Sequence, residues 1–262
     1  MDRMPHSDTR AWDPTTIMWQ IYPLGFAGVP VREPVDPAPR LGTAEDWQSL
    51  VAACDERGIA VILDGVFSHV ADVMRYWLDQ GATGWRLDAA YSVNSEFCRE
   101  VLHQVHTTHP HAFIFGEVIH GDYAQIVADT SMDSVPQYEL WKAICSSLKD
   151  ENFFELDWCI KRHMEWADSF IPQTFVGNHD VSRIASVVGC DKAITAACIL
   201  FTLPGYPQRL GGDDAVRPEF HPWLIDASLD VRERFATNFS GVLDPVDRLL
   251  ELKTSKTARR LL

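Results

Sequence analysis

Four short segments of this chain concentrate the side chains that exchange protons and grip polar ligands. They are Asp64-Gly-Val-Phe-Ser-His69, Gly84-Trp-Arg-Leu-Asp-Ala-Ala90, Gly116-Glu-Val118 and Phe175-Val-Gly-Asn-His-Asp180. Each closes an apolar run whose other residues would face a core. A carboxylate at the end of such a run is costly to bury unless it meets a partner or a substrate. Arg86 and Asp88 stand two residues apart, so on a strand they share a face, and the guanidinium would hold the carboxylate ionised through a charge-assisted hydrogen bond. The separations are regular: 24 residues from Asp64 to Asp88, 29 from Asp88 to Glu117 and 63 from Glu117 to Asp180. The first two suit one strand-plus-helix unit and the third about two.

Each residue alone also has a plainer use. Asp64, Asp88 and Asp180 suit an N-cap at a strand-to-helix turn, Arg86 a scaffold ion pair, and His69 and His179 ordinary turns. Glu117 resists such a reading, because glutamate caps poorly and here it follows Phe-Ile-Phe-Gly.

To converge, the four segments need a scaffold that brings strand ends together. Short apolar runs alternate with amphipathic ones, the pattern of repeated βα units around a parallel sheet, where the strand C-termini share one face. Strand-like runs lie at Ile17 to Tyr22, Ala60 to Val66, Gly84 to Ala89, Ala112 to Val118, Met132 to Val135 and Gln173 to Gly177. Helical spacing is predicted over Ala44 to Arg57 (ending at Gly58), Val70 to Gln80, Asn94 to His106, Gln137 to Lys149, Phe154 to Trp166, Val181 to Val188 and Asp191 to Phe201. Leu203-Pro-Gly-Tyr-Pro207 stops the last of these. Periodicity decays from Gln208 onward, leaving an amphipathic run at Pro245 to Leu252. The aromatics Trp19, Tyr22, Trp85 and Tyr91 near the rim read as core packing before sugar stacking.

The 262 residues are 46% hydrophobic, enough to bury one substantial core, and carry a formal charge of -14. That charge opposes binding to nucleic acid or to an anionic membrane. The opening MDRMPHSDTR lacks an apolar signal segment and no stretch has the length of a membrane-spanning helix, so a cytoplasmic location is expected. Cys54, Cys98, Cys145, Cys159, Cys190 and Cys198 are scattered singly through predicted helices or their ends, and read as small buried residues rather than a disulfide or metal framework. No HExxH spacing is present to suggest a metal-dependent hydrolase.

In order and position the four segments resemble the four short motifs of the α-amylase family of glycoside hydrolases. The resemblance extends into the flanking text WQIYPLGF and LGTAEDWQSLVAACDERGIAVILDGVFSH, and covers roughly residues 17 to 205. It implies a retaining glycosidase acting, by hydrolysis or transfer, on α-linked glucose oligomers or glucans without a cofactor. By the same resemblance Asp88 is the nucleophile that forms a covalent glycosyl intermediate, and Glu117 the general acid/base. Asp180 is implied as the third carboxylate, which grips sugar hydroxyls and helps distort the ring. His69 and His179 donate to sugar hydroxyls, Asp64 supports them, and Arg86 keeps the nucleophile ionised.

The chain departs from the family pattern in ways that shape the expected fold. Only the proline-rich interval Ala27 to Arg40 stands where a helix and the second barrel strand belong, and only 18 residues separate His69 from Asp88, where a small domain with a calcium site is usually inserted. Gln208-Arg-Leu-Gly-Gly-Asp-Asp-Ala replaces the text of the eighth strand. The expectation is therefore a contracted or incomplete (β/α) barrel of about six recognisable parallel strands, without the inserted domain. Residues 1–207 would form this truncated catalytic barrel and 208–262 a remnant of the barrel end and C-terminal β domain. The first strand would lose both usual neighbours. An alternative of another class is a catalytically weak or inactive scaffold that keeps the carboxylates.

Overall fold

A computed structural model of the chain describes residues 12, 16–20, 42–66 and 71–210. Strands and helices alternate along it: β1 (Met18–Gln20), α1 (Ala44–Asp55), β2 (Ile62–Val66), α2 (Ala71–Asp79), β3 (Gly84–Asp88), α3 (Ser95–Thr108), β4 (Phe113–Gly116) and α4 (Tyr123–Thr130). Then come α5 (Tyr138–Asp150), α6 (Phe154–Ala167), β5 (Gln173–Phe175), α7 (Ile184–Val188), α8 (Cys190–Thr202) and β6 (Tyr206–Leu210). Several helices begin where a short polar side chain satisfies an otherwise orphaned backbone N–H. Thr43 and Asp46 form a reciprocal capping box on α1, Asn94 accepts from Phe97 N–H on α3, and Asp122 accepts from Gln125 N–H on α4. Among the described residues no helix is long and apolar enough to cross a membrane.

Among the described residues every strand pairing is parallel, giving two ladders, β2-β3-β4 and β1-β6-β5. The strand expected at Met132 to Val135 is reduced to two isolated bridges, Ser134 with Phe115 and Pro136 with Gln173. These join the ladders: Asp133 N–H donates to the Ile114 carbonyl at 2.7 Å, and Gln173 N–H to the Val135 carbonyl at 3.0 Å. Strand order in space thus follows order in the chain, with β1 returning beside the last strand, as in a β/α barrel.

That return corrects the expectation of a lost eighth strand. β6 lies between β1 and β5, with Met18 opposite Gln208, Trp19 opposite Arg209 and Tyr206 opposite Gln173. Its sequence Tyr-Pro-Gln-Arg-Leu has no apolar run to announce a strand. It is held by ladders on both sides, a case of tertiary context overriding propensity. A domain boundary after Pro207 would therefore fall inside β6. Between β2 and β3 the described residues hold α2 alone, as the short interval requires. Among the described residues no pairing joins β1 to β2.

Alternation along the strands divides the interior in two. Trp85 and Leu87 of β3 and Ile114 of β4 face outward, where Met74 and Leu78 of α2 and Val101, Leu102 and Val105 of α3 cover them. The opposite face of β4 carries Phe113 and Phe115, which pack with Met18 of β1 and Tyr206 of β6. The rings of Phe113 and Tyr206 meet edge-on at 5.4 Å, so the sheet curls until β4 touches β6 across the inside. This apolar plug sits below the strand C-termini and leaves the polar residues above it. Gly84 keeps β3 tight against β4, since a Cβ there would lie 2.1 Å from the Phe113 carbonyl oxygen.

All six cysteines lie on helices as free thiols. Burial pushes the thiols of Cys98 and Cys145 up to about 11 and that of Cys159 up to about 12, so these three behave as small core residues. Cys190 departs from the expectation and is exposed.

Candidate active site

Asp64 lies on β2, Arg86 and Asp88 on β3, Glu117 directly after β4, and His179 and Asp180 in the turn after β5. Six of the seven expected residues thus stand at one end of the sheet. His69 lies outside the described residues.

Arg86 ties them together. Its Nη1 donates to Asp64 Oδ1 at 2.7 Å and to Asp88 Oδ1 at 2.8 Å. Its Nη2 lies 3.4 Å from Glu117 Oε2 and 3.5 Å from His179 Nε2. One guanidinium, 10% exposed, therefore faces three carboxylates arriving on three successive strands. Burial alone would lower its pKa, but the charges of Asp64 and Glu117 and the hydrogen bonds to Asp64 and Asp88 outweigh that and raise it. Arg86 is a fixed cation, as its position two residues before Asp88 suggested, with Asp64 as a further partner.

The backbone adds a second tie. Ala89 takes a left-handed conformation with φ of 47°, which costs a residue with a Cβ on the order of 1–2 kcal/mol. In return its N–H donates to Glu117 Oε2 at 2.9 Å. Beyond it, Tyr91 N–H donates to the Glu117 carbonyl at 3.1 Å and the Tyr91 side chain is exposed. Core packing therefore holds for Trp85, which is buried, and fails for Tyr91, whose side chain stands at the rim in solvent.

Three further residues complete the cluster. Tyr138, at the start of α5, places its Oη 3.2 Å from Glu117 Oε1 and 3.2 Å from Asp180 Oδ2, and accepts from Asn178 Nδ2 at 2.7 Å. Gln20 of β1 brings Nε2 within 3.4 Å of His179 Nδ1 and accepts from Gln208 Nε2 at 2.7 Å. The sequence carried a signal for Gln20, a lone polar residue in the apolar run IMWQIY. Asn178 lay inside a segment already singled out. Tyr138 reads as one more apolar residue of an amphipathic helix, and only the bridge at residues 134–136 aims it inward.

The cavity bounded by Gln20, Arg86, Glu117, Tyr138, Asn178 and His179 holds about 10 Å³, room for about one water. The interior is closed below the carboxylates. A ligand would meet them from the solvent side, where the Asp88 and Asp180 side chains are 35% and 40% exposed, while Glu117 is 11% exposed. A larger hollow of about 470 Å³ runs along α3 past Glu96, Glu100, His103 and His106, but it lacks the convergent carboxylates and lies away from the strand ends.

A parallel β/α architecture with a carboxylate cluster at the strand C-termini defines the class of the protein. The family model described as the alpha amylase catalytic domain matches residues 68–233, and the chain belongs to the α-amylase family. It is 30% identical over 157 residues to neopullulanase 2 of Thermoactinomyces vulgaris, covering 57% of this chain and 26% of that protein. It is 29% identical over 173 residues to a 4-alpha-glucanotransferase of Thermotoga neapolitana, covering 65% and 34%. With a cyclomaltodextrinase of Geobacillus thermopakistaniensis it shares 24% over 246 residues, covering 67% and 42%. The chain thus spans less than half the length of these curated relatives. Among solved structures, the cyclic alpha-maltosyl-(1→6)-maltose hydrolase of Arthrobacter globiformis superimposes with a TM-score of 0.63 at 22% identity, covering 76% of this chain and 63% of that one. A cyclomaltodextrinase gives 0.66 at 19% identity, covering 84% and 50%. At these identities the structural likeness speaks for the fold.

Proposed function

We propose that this chain cleaves or transfers α-glucosidic bonds of glucans or gluco-oligosaccharides with retention of configuration. The observation that carries the reading is the buried Arg86 guanidinium, which gathers Asp64, Asp88 and Glu117 at the strand C-termini. In this reading Asp88, the more exposed of the central pair, attacks the anomeric carbon, and Arg86 keeps it aimed through their hydrogen bond. Glu117 protonates the departing oxygen, then takes a proton from water or from an acceptor sugar. Asp180 grips sugar hydroxyls and favours a distorted ring. His179 donates to a hydroxyl from beside it, Asp64 holds Arg86 from the other side, and His69 would join the hydroxyl contacts. The names of the relatives, a neopullulanase, a cyclomaltodextrinase and a glucanotransferase, support α-glucan as the substrate class. No cofactor is assigned to these steps.

The contracted barrel belongs to the same proposal. β1 pairs with β6, and among the described residues no strand pairs with the other edge of β1 or with the free edge of β2, so the cleft is proposed to be shallow on that side. The catalytic barrel is proposed to extend past residue 207 to the end of β6, while the remnant expected in the rest of 208–262 lies outside the described residues.

A fluorinated α-glycosyl fluoride, which forms a slowly hydrolysed glycosyl-enzyme, tests the assignment by mass spectrometry. The expected result is one added glycosyl group on the peptide containing Asp88, lost in Asp88→Asn. A protein folded by circular dichroism that takes no label would sink the reading and favour a scaffold that keeps the carboxylates without turnover.

A further inference from the structure

We propose that Tyr138 is a positioning residue that passes its single phenolic hydrogen bond between Glu117 and Asp180 as Glu117 gains and loses its proton. The proposal rests on the acid/base role given to Glu117 above. Tyr138 Oη stands at 3.2 Å from a carboxylate oxygen of each residue, yet a phenol has only one proton to donate. The Asn178 amide, donating at 2.7 Å, occupies one of the oxygen's lone pairs and fixes where the oxygen sits. Asn178 is held in turn, because its Oδ1 accepts from Asp180 N–H at 2.9 Å. The ring cannot swing either: Phe175 packs edge-on against it at 4.9 Å and Trp141 at 6.4 Å. What remains free is the O–H rotor.

The rotor turns toward whichever acceptor is more negative. With Glu117 ionised, two carboxylates compete for the proton. With Glu117 protonated, Asp180 is the stronger acceptor and takes it. In the proposed cycle Glu117 starts as an acid, so Tyr138 then points to Asp180. After the proton is given to the leaving group, Glu117 competes with Asp180 on equal charge, so Tyr138 shares its proton with the base form and no longer holds Asp180 alone. Burial, reinforced by the charges of Glu117 and Asp180, pushes the phenol's own pKa well up, so it stays a donor throughout. The other charged or titratable groups facing this pair are Arg86 and Asp88 from β3, Asp64 from β2, and His179 beside Asp180.

The test reads carboxyl titrations and does not require turnover. Carbon-13 NMR of side-chain carboxyls, assigned with Glu117→Gln, follows Glu117 in the wild type, in Tyr138→Phe, in Asp180→Asn and in the double variant. Tyr138→Phe is expected to raise the Glu117 midpoint by about one pH unit, the size of one lost hydrogen bond to a charged group. Asp180→Asn is expected to lower that midpoint more when Tyr138 is present than when Phe replaces it, since only the tyrosine can redirect its proton. Equal shifts in the two backgrounds would overturn the proposal and leave Tyr138 a packing residue. A wild-type measurement guards against an unfolded variant: the phenolic carbon of Tyr138 should move in step with the Glu117 titration, and a constant shift through that titration also overturns it. Turnover of substrates with poor and good leaving groups by Glu117→Gln reports separately on the acid/base reading, since only poor leaving groups need the proton; coupled titrations with an equal loss on both substrates would fault that reading alone.

Discussion

Arg86 is the side chain whose removal should be felt most, and the structure sets the size of the effect. Replacing it with methionine keeps the length of the stem and leaves Asp64, Asp88 and Glu117 facing one another without a cation. Stripping one partner from a buried ion pair costs about 3–5 kcal/mol. Here the cost belongs near the bottom of that range, because the Asp64 and Asp88 side chains are 50% and 35% exposed and water screens them. Glu117, at 11%, keeps most of its share. We therefore expect Arg86→Met to lose about 3 kcal/mol at pH 7, measured by urea unfolding followed with far-ultraviolet circular dichroism. The sign of the pH dependence follows from linkage. Arg86's raised pKa contributes stability that is complete below its unfolded value and lost only as pH rises through its folded value, far above the assay range. Between pH 7 and pH 4 the guanidinium therefore keeps its charge. A deficit under about 1 kcal/mol at pH 7 would refute the idea that Arg86 is the hub of the cluster.

Two further outcomes test the scaffold. Gly84→Ala should cost more than about 3 kcal/mol, because its Cβ would meet the Phe113 carbonyl, a backbone atom that cannot yield without breaking the β3–β4 ladder; an unchanged melting temperature would contradict that spacing. His163 is fully buried with Nε2 2.7 Å from the Pro204 carbonyl, and burial lowers its pKa. The unfolded chain therefore takes up the proton first, so stability should decline as pH falls below about 6.5, and His163→Gln should flatten the decline between urea midpoints taken at pH 7 and pH 5.

What the sequence disclosed and what it hid follow one physical line. Arg86, Asp88 and Glu117 were legible because their placement is local: strand alternation puts Arg86 and Asp88 on one face, and an apolar run delivers Glu117 to its end. The helices were legible for the same reason, through their periodicity and through caps such as Asn94. β6 was hidden because its strand character comes from β1 and β5 on its flanks rather than from its own residues. Tyr138 was hidden because its reach depends on a segment that meets β4 on one side and β5 on the other. The strand expected at Met132 to Val135 shrank to two bridges for a related reason, since Pro136 has no N–H to extend a ladder.

The pairing of β1 with β6 also sets an order of assembly. The β2, β3 and β4 ladder joins neighbours in the chain and closes short loops, so it can form as soon as each unit has left the ribosome. β1 is made first and must wait, since Gln20 finds Gln208 only across a separation of 188 residues. His179 leans on Gln20, so its final orientation is among the last things the chain acquires. Arg86 can already grip Asp64 and Asp88 from within the early ladder. The cluster therefore assembles in two instalments, the central ion pairs during synthesis and the Gln20, His179 and Gln208 wall only when the final strand arrives.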